Sequence, residues 1–340
     1  DLVRSRGLGD VYKRQGVAWL VVSVACREMS ARLAQRSVAR GDSLHVHVLF
    51  AGAGFLALFL VRHVLVHMQS EIYAGPVRVR LLIEIFALTV FFYWAVTGLS
   101  WTKDTPGARR VGNLAWELFL AFLVFTVALE VPVVWLPLVW MLLALTLFMG
   151  AGAESLSRLK FYSLLLYWAA AFHIAFVSSS HVTPSRVWTD QAWVGGMAAL
   201  VVQFACIVAY YRGRGLDAIS FPFQVRLFAI VAERVAKRQN LWVYYPAFVS
   251  IALFLFWTFD SSVLTLLWVA ETFAIFVLSL FLKESHFRLV SMVGLAGCLV
   301  RLVFFDLSQS GTLTRALVFV GVGALMLLMN VLYGKYRDRF

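Results

Sequence analysis

Four charged residues are the first candidates for chemistry in this sequence, because each lies within or at the end of a long apolar stretch. Arg62 and Glu84 lie near the facing ends of two such stretches, and Glu271 and Arg301 lie in two later, consecutive ones. A charged side chain in membrane hydrocarbon costs about 2.5 to 3.5 kcal/mol on insertion scales, so each needs a partner or a function. We therefore predict two candidate pairs, Arg62–Glu84 and Arg301–Glu271. They either lock helical hairpins together or line a polar path or ligand cavity that opens outward.

Histidines supply a second set of candidates. His63, His67 and Glu71 follow one another at i, i+4 spacing, which places two imidazoles and a carboxylate on one helical face, a pattern suited to a divalent metal. The pattern lacks the inserted Glu of a His-Glu-X-X-His motif, so the favoured interpretation is histidines that reach to the membrane interface. His173 and Asp306 complete the polar candidates. We predict no metal, no other cofactor and no catalytic residue, since phosphate-binding and nucleophile-elbow motifs are lacking too.

The composition predicts the elements that must position these residues. The chain is 61% hydrophobic and only 14% charged over 340 residues, too little polar surface for a water-soluble globule. A helix needs about 20 apolar residues to cross a membrane. The sequence predicts an all-α polytopic bundle with eleven such segments, the first of them truncated: 16–26, 44–67, 79–99, 111–129, 131–149, 158–177, 192–211, 242–260, 262–282, 286–305 and 313–333.

Basic residues predict the orientation of these segments. Alternate connections hold most of the Lys and Arg, as expected of the cytoplasmic side of a bacterial inner membrane, and the C-terminus with Lys335, Arg337 and Arg339 belongs to that set. The net charge of +12 lies in short clusters rather than on one face, which argues against nucleic acid as a partner. The connection 212–241 predicts an amphipathic helix on the anionic lipids of the inner leaflet; a solvated loop is the alternative.

An internal repeat of four helices predicts the domain organisation. Two sets of residues recur at a constant spacing, namely Trp140, Lys160 and His173 against Trp268, Arg288 and Arg301. The stretch around Arg62 resembles that around Arg301, which indicates an earlier partial copy. Four helices per copy give parallel copies. The predicted domains are 16–110, 111–212 and 242–340, with the connector 213–241 between the last two.

Residues 1–15 are expected to be foreign to the fold. The stretch 5–15, SRGLGDVYKRQ, resembles the in-frame translation of an adapter used in sequencing libraries. We expect the natural sequence to start near Gly16, inside a helix, and the true N-terminus to be missing.

The last quarter of the chain resembles a known family. A Trp and a Glu in LLWVAE (266–271) are followed by RLVFFDLS (301–308), Arg315, a Gly-rich helix (321–328) and the exit LYGKY (332–336). This pattern is similar to that of the bacterial membrane proteins grouped as domain of unknown function 2339. The resemblance implies a longer parent protein with more spans, and no chemistry.

Three functions are compatible with these patterns. The parallel repeats and intramembrane Arg and Glu residues favour a transporter or flippase-like protein. Short loops and many aromatic residues favour a structural or scaffolding protein of the cell envelope. An intramembrane enzyme is the third hypothesis, and it requires polar residues that converge at one depth.

Overall fold

The computed structural model describes residues 2–37, 44–63, 73–74, 77–101, 106–151, 158–178, 190–212, 237–259, 261–282, 285–302, 304 and 312–336. Within these residues the chain is almost entirely helical, which confirms the all-α class. The eleven α-helices described are α1 Leu2–Ser37, α2 Leu44–Arg62, α3 Val79–Trp101, α4 Pro106–Glu130, α5 Leu136–Gly150, α6 Arg158–His173, α7 Gln191–Arg212, α8 Gln239–Thr258, α9 Ser261–Leu282, α10 Ser285–Arg301 and α11 Thr312–Tyr336.

Each predicted apolar segment coincides with one of these helices. The exceptions to helix are small: Tyr73–Ala74 pairs with Val77–Arg78 in an antiparallel hairpin of two-residue strands, named β1 and β2. Helix α1 begins at Leu2, so it includes the adapter-like stretch. The connector 213–241 lies outside the described residues up to residue 236.

Five of the described helical segments are long and apolar enough to cross a membrane: Leu44–Arg62, Leu159–Ser178, Gln191–Tyr211, Leu241–Thr258 and Val263–Phe281. Large apolar side chains point outward from them, and Val201, Phe204 and Phe281 are more than 60% exposed. Such surfaces are costly in water and favourable in lipid. The finding is consistent with a membrane protein, and the count of eleven spans stays a prediction.

The chain forms two compact units, Asp1–Glu130 and Val131–Phe340. In the first unit α1 packs on α2, and α3 packs on α4. Its core contains Leu56, Phe59, Phe91 and Trp94, all nearly inaccessible. A Cβ on Gly52 would lie 2.9 Å from the Trp94 ring, so glycine lets α2 approach that ring. The structure groups α4 with α1–α3, whereas the repeat assigns α4 to the second copy.

In the second unit the central helices are α5, which packs on α6 and α7, and α9, which packs on α10 and α11. Helix α8 contacts α6, α7 and α9. A Cβ on Gly195 would lie 2.5 Å from the carbonyl oxygen of Val134, and one on Gly196 would lie 2.5 Å from Phe254. Glycines on α7 therefore permit close backbone packing, as is common between helices in membranes.

Three helices end in the same way. Helix α2 changes to a π turn at His63, α6 continues into the π turn Ile174–Ser178, and α10 changes at Leu302. These three positions follow Arg62, His173 and Arg301, the residues that the repeat aligns.

Helix α8 contains a proline, and α6 compensates for it. Pro246 has no N–H, so the carbonyl four residues earlier, that of Trp242, loses its helical donor. The indole Nε1 of Trp168 donates to that carbonyl at 2.9 Å, and the Tyr167 hydroxyl donates to the next one, of Val243, at 2.7 Å. In lipid no water replaces a missing backbone partner, so the neighbouring helix supplies it.

We expect Trp168→Phe to lower the free energy of unfolding by about 1 to 3 kcal/mol, because it keeps the aromatic ring and leaves the Trp242 carbonyl without its side-chain donor. In a Pro246→Ala background, a backbone N–H returns to that carbonyl, and the cost of Trp168→Phe should shrink. Unfolding in mixed detergent micelles with increasing dodecyl sulfate measures both effects.

Trp116→Phe is the matched control, since the Trp116 indole N–H has no acceptor among the described residues. Equal losses for Trp116→Phe and Trp168→Phe, or an equal cost with and without Pro246, would contradict this account.

Candidate functional site

The ends of three helices in the first unit bring four ionisable side chains together. His63 is the residue that follows α2, Arg80 and Glu84 lie in the first turns of α3, and Glu130 is the last residue of α4. We call these four residues the His63–Glu84 network. Arg80 and Glu84 are four residues apart, so they share one face of α3.

Glu84 is the centre of the network. Its Oε1 lies 3.0 Å from His63 Nε2 and 3.8 Å from Arg80 Nε. Arg80 also binds Glu130, with its Nε 2.6 Å and its Nη2 2.5 Å from Glu130 Oε1. The side chains of His63 and Glu84 are fully buried, and those of Arg80 and Glu130 are exposed by only 10% and 15%. The contacts therefore form a chain from the buried imidazole to the largely buried Glu130 at the end of α4.

Aromatic rings enclose the imidazole. Phe59, one turn earlier on α2, stacks on the His63 ring with centroids 5.6 Å apart, and Phe122 of α4 meets its edge at the same distance. Phe91 of α3 packs against Phe122 in turn, at 5.3 Å. Low polarity around a charged group strengthens its interaction with a neighbouring charge and makes a missing partner costly.

One oxygen of the network has no partner in the part of the chain that the structure describes. Glu84 Oε2 is buried and accepts no hydrogen bond there. A buried carboxylate oxygen without a donor costs free energy, and such an atom in a native protein calls for an explanation. A bound water, a proton or a ligand group that donates a hydrogen bond would satisfy it.

The charge of the network changes with one proton. Arg80 carries one positive charge, Glu84 and Glu130 carry one negative charge each, and His63 is neutral or positive. The four side chains sum to minus one with a neutral imidazole and to zero with an imidazolium. The structure therefore brings an imidazole and a carboxylate into direct contact at a buried position.

The structure gives Glu84 partners that differ from the predicted Arg62. Arg62 is 8% exposed, its Nη1 donates to Gln15 at 2.9 Å, and its guanidinium lies 5.1 Å from the Trp19 ring. Gln15 is the last residue of the adapter-like stretch. His67 and Glu71 lie outside the described residues.

The second predicted pair is also arranged differently. Arg301 Nε donates to Thr265 Oγ1 at 3.1 Å, and its guanidinium lies 4.9 Å from the Trp268 ring, both on α9. Glu271, partly buried on the same helix, forms no hydrogen bond or ion pair with a described residue. Asp306 lies outside the described residues.

His173 occupies a position in α6 like that of Arg301 in α10. Its Nδ1 lies 3.1 Å from Ser178 Oγ, and its ring meets the Trp140 ring edge to face, with centroids 5.9 Å apart. Trp140–His173 and Trp268–Arg301 are the pairs that the predicted repeat aligns, and in each pair the two residues contact each other.

Sequence reasoning missed Arg80 and Glu130 as site residues. Two signals mark them: the i, i+4 spacing of Arg80 and Glu84, and the position of Glu130 at the end of an apolar helix. It treated His63 as a possible metal ligand, and the structure gives that imidazole a carboxylate partner. Among the described residues, no group of three or more His, Cys, Asp and Glu could hold a metal ion.

We expect Arg80→Met to lower the free energy of unfolding by about 3 to 5 kcal/mol, because two buried carboxylates then lose their cation. The double variant Arg80→Met with Glu130→Met should cost less than Arg80→Met alone, since one of those carboxylates is removed as well. A dodecyl sulfate unfolding titration of the two single variants and the double variant gives the coupling free energy.

Arg32→Met, at an exposed position of α1, should change the same quantity by no more than about 0.5 kcal/mol. Additive effects of Arg80→Met and Glu130→Met would mean that the ion pair contributes nothing to stability.

No protein family model, curated protein or solved structure matches the chain. The resemblance to domain of unknown function 2339 therefore stays a prediction, and the contacts described above are the basis for a function.

Proposed function

We propose that this chain belongs to a transporter or flippase-like protein of a bacterial inner membrane, and that the His63–Glu84 network is its polar centre. The chain crosses the membrane eleven times and has its C-terminus in the cytoplasm. Its substrate passes or binds next to Glu84, and the His63–Glu84 contact carries the proton that accompanies it.

One observation carries the proposal: four ionisable groups meet at a buried position between apolar helices, and one carboxylate oxygen there lacks a donor among the described residues. Charged residues within membrane helices are rare because their desolvation is costly, and they typically mark ion pathways and proton relays.

The predicted orientation supports this placement. In the positive-inside assignment, the end of α2, the start of α3 and the end of α4 are all on the outer side. The network joins those same three helix ends. A polar centre there opens toward the outer face, as the sequence predicts for a path that includes Arg62 and Glu84.

Three features support the parallel repeats. Helices α2, α6 and α10 change to a π turn at aligned positions, and Trp140–His173 matches Trp268–Arg301 as a contact. The packing also recurs, with α1 on α2 and α3, α5 on α6 and α7, and α9 on α10 and α11. Parallel repeats and π turns recur in transporters and at functional sites.

A structural role is the alternative, and the Arg80–Glu130 contact favours it. Two nitrogens of one guanidinium bind the same carboxylate oxygen, which ties the start of α3 to the end of α4. Such a pair would hold a scaffold for envelope assembly in one shape. The transport role and the structural role differ in one expectation. Removal of a single charge should abolish activity in a transporter and lower the amount of folded protein in a scaffold.

We expect Glu84→Gln to abolish complementation of a strain that lacks the gene, because the amide keeps the shape of the side chain and cannot exchange a proton with His63. The amount of protein in the membrane should stay within about twofold of wild type. Growth and quantitative immunoblots of the same cultures separate the two effects.

Glu117→Gln, at a half-buried glutamate of α4, is the matched control and should complement fully. Loss of growth that parallels loss of Glu84→Gln protein would instead favour the structural role.

An accessibility experiment tests the outward path directly. In a variant with Cys26, Cys206 and Cys298 replaced by Ala, we expect His63→Cys to react with a membrane-impermeant methanethiosulfonate added outside the cell. Ile174→Cys, at a fully buried apolar position, should react at least about tenfold more slowly. If neither cysteine reacted, the interior would be closed to the reagent and a path at His63 would be excluded.

A further inference from the structure

A groove in the second unit is lined by basic side chains at one end and by apolar side chains along the rest of its length. It lies between the start of α8 and the start of α10 and has a volume of about 880 Å³, within the range of ligand pockets. Lys237, Arg238 and His286 line its mouth, and all three are exposed. The groove is built from residues that the proposed polar centre does not use.

The walls of the groove are apolar and aromatic. Trp242, Tyr245, Pro246 and Val249 line it along one face of α8. Trp242 is 39% exposed and Val249 is 51% exposed, so this apolar face is open. Tyr and Trp with basic residues beside them are typical of the boundary between membrane and water.

The aromatic wall is held rigidly. The Trp242 ring packs on Trp168 with centroids 5.3 Å apart, and the Tyr245 ring packs on Phe287 at 5.9 Å. Pro246 removes a backbone N–H from the groove wall, and Trp168 binds the carbonyl that this frees. A ligand therefore meets a preformed surface and loses little free energy in ordering it.

The length of the groove matches one leaflet of a membrane. Arg238 and Val249 are eleven residues apart, which corresponds to about 16 Å along a helix. Half of a bilayer's hydrocarbon is about 15 Å thick. The positive-inside assignment places the starts of α8 and α10 on the cytoplasmic side, so the basic mouth lies at the headgroups of the inner leaflet.

From these observations we propose that the groove binds one anionic phospholipid of the inner leaflet. The phosphate lies at Lys237, Arg238 and His286, and an acyl chain runs along Trp242, Pro246 and Val249. Charge complementarity selects this occupant, because a second copy of the chain would bring its own basic residues against the basic mouth. The inference extends the predicted lipid contact of 212–241 from a surface helix to a defined site.

Native mass spectrometry of the delipidated full chain tests the headgroup. Phosphatidylglycerol and phosphatidylcholine with identical acyl chains are titrated separately, and bound lipid is counted for each. We expect wild type to prefer phosphatidylglycerol. Lys237→Gln with Arg238→Gln should weaken the binding of that lipid by at least about fivefold, since it removes two positive charges beside the phosphate. Phosphatidylcholine binding should change by less than about twofold.

Arg32→Gln with Lys335→Gln is the matched control, because it removes two exposed basic charges from the predicted cytoplasmic side outside the groove. It should leave phosphatidylglycerol binding within about twofold of wild type. An equal loss in the control pair would show a general surface charge effect and overturn the site.

The apolar wall is tested with Val249→Trp, which places a larger side chain at the end of the wall farthest along α8 from Arg238. We expect this variant to weaken the binding of both lipids about equally. Val201→Trp, at an exposed position of α7, should leave the binding of both unchanged. A Val249→Trp protein that binds both lipids as wild type does would refute the acyl-chain path.

A phosphatidylglycerol with a photoreactive acyl chain identifies the occupant in vesicles. We expect it to label the peptide that contains residues 241–249. The same peptide cross-linked to a second copy of the chain by a photoreactive side chain at Val249, with no lipid label, would assign the groove to self-association and overturn the proposal.

Discussion

The constraint on which this structure depends is that a polar group in hydrocarbon must find its partner inside the protein. The constraint acts first on the backbone. Where Pro246 removes a helical hydrogen bond from α8, the Trp168 indole of α6 donates to the freed carbonyl of Trp242. The side-chain donor therefore links α6 and α8 through a backbone carbonyl rather than through an ion pair. The contact between α6 and α8 therefore depends both on apolar surface and on the backbone N–H that Pro246 lacks.

The same constraint acts on charged side chains and concentrates them. In the first unit, Arg80 binds Glu130 and approaches Glu84, while Glu84 also meets His63. The phenylalanines around His63 lower the local polarity, which strengthens these contacts and raises the cost of breaking any one of them. The proposed transport role rests on this concentration of buried charge.

The basic end of α8 differs from these two cases, because its charged groups are exposed. The exposed groups Lys237, Arg238 and His286 stand beside an apolar groove that is about one leaflet long. An anionic phospholipid, the occupant proposed for this groove, would meet both the basic groups and the apolar wall. In each of the two units, polar groups and apolar surface therefore have to be satisfied together.

The sequence alone determined that the chain is all-α, where its helices lie, and that Glu84 is a residue of interest. These features follow from local composition: runs of apolar residues long enough for a helix, and one acid within such a run. The partners of Glu84 were decided only by the tertiary structure. His63 is 21 residues away from it, and Glu130 is 50 residues away from Arg80. Which side chains meet over such separations depends on how the helix faces pack. The sequence therefore paired Glu84 with Arg62, whereas the packing turns His63 and Arg80 toward it.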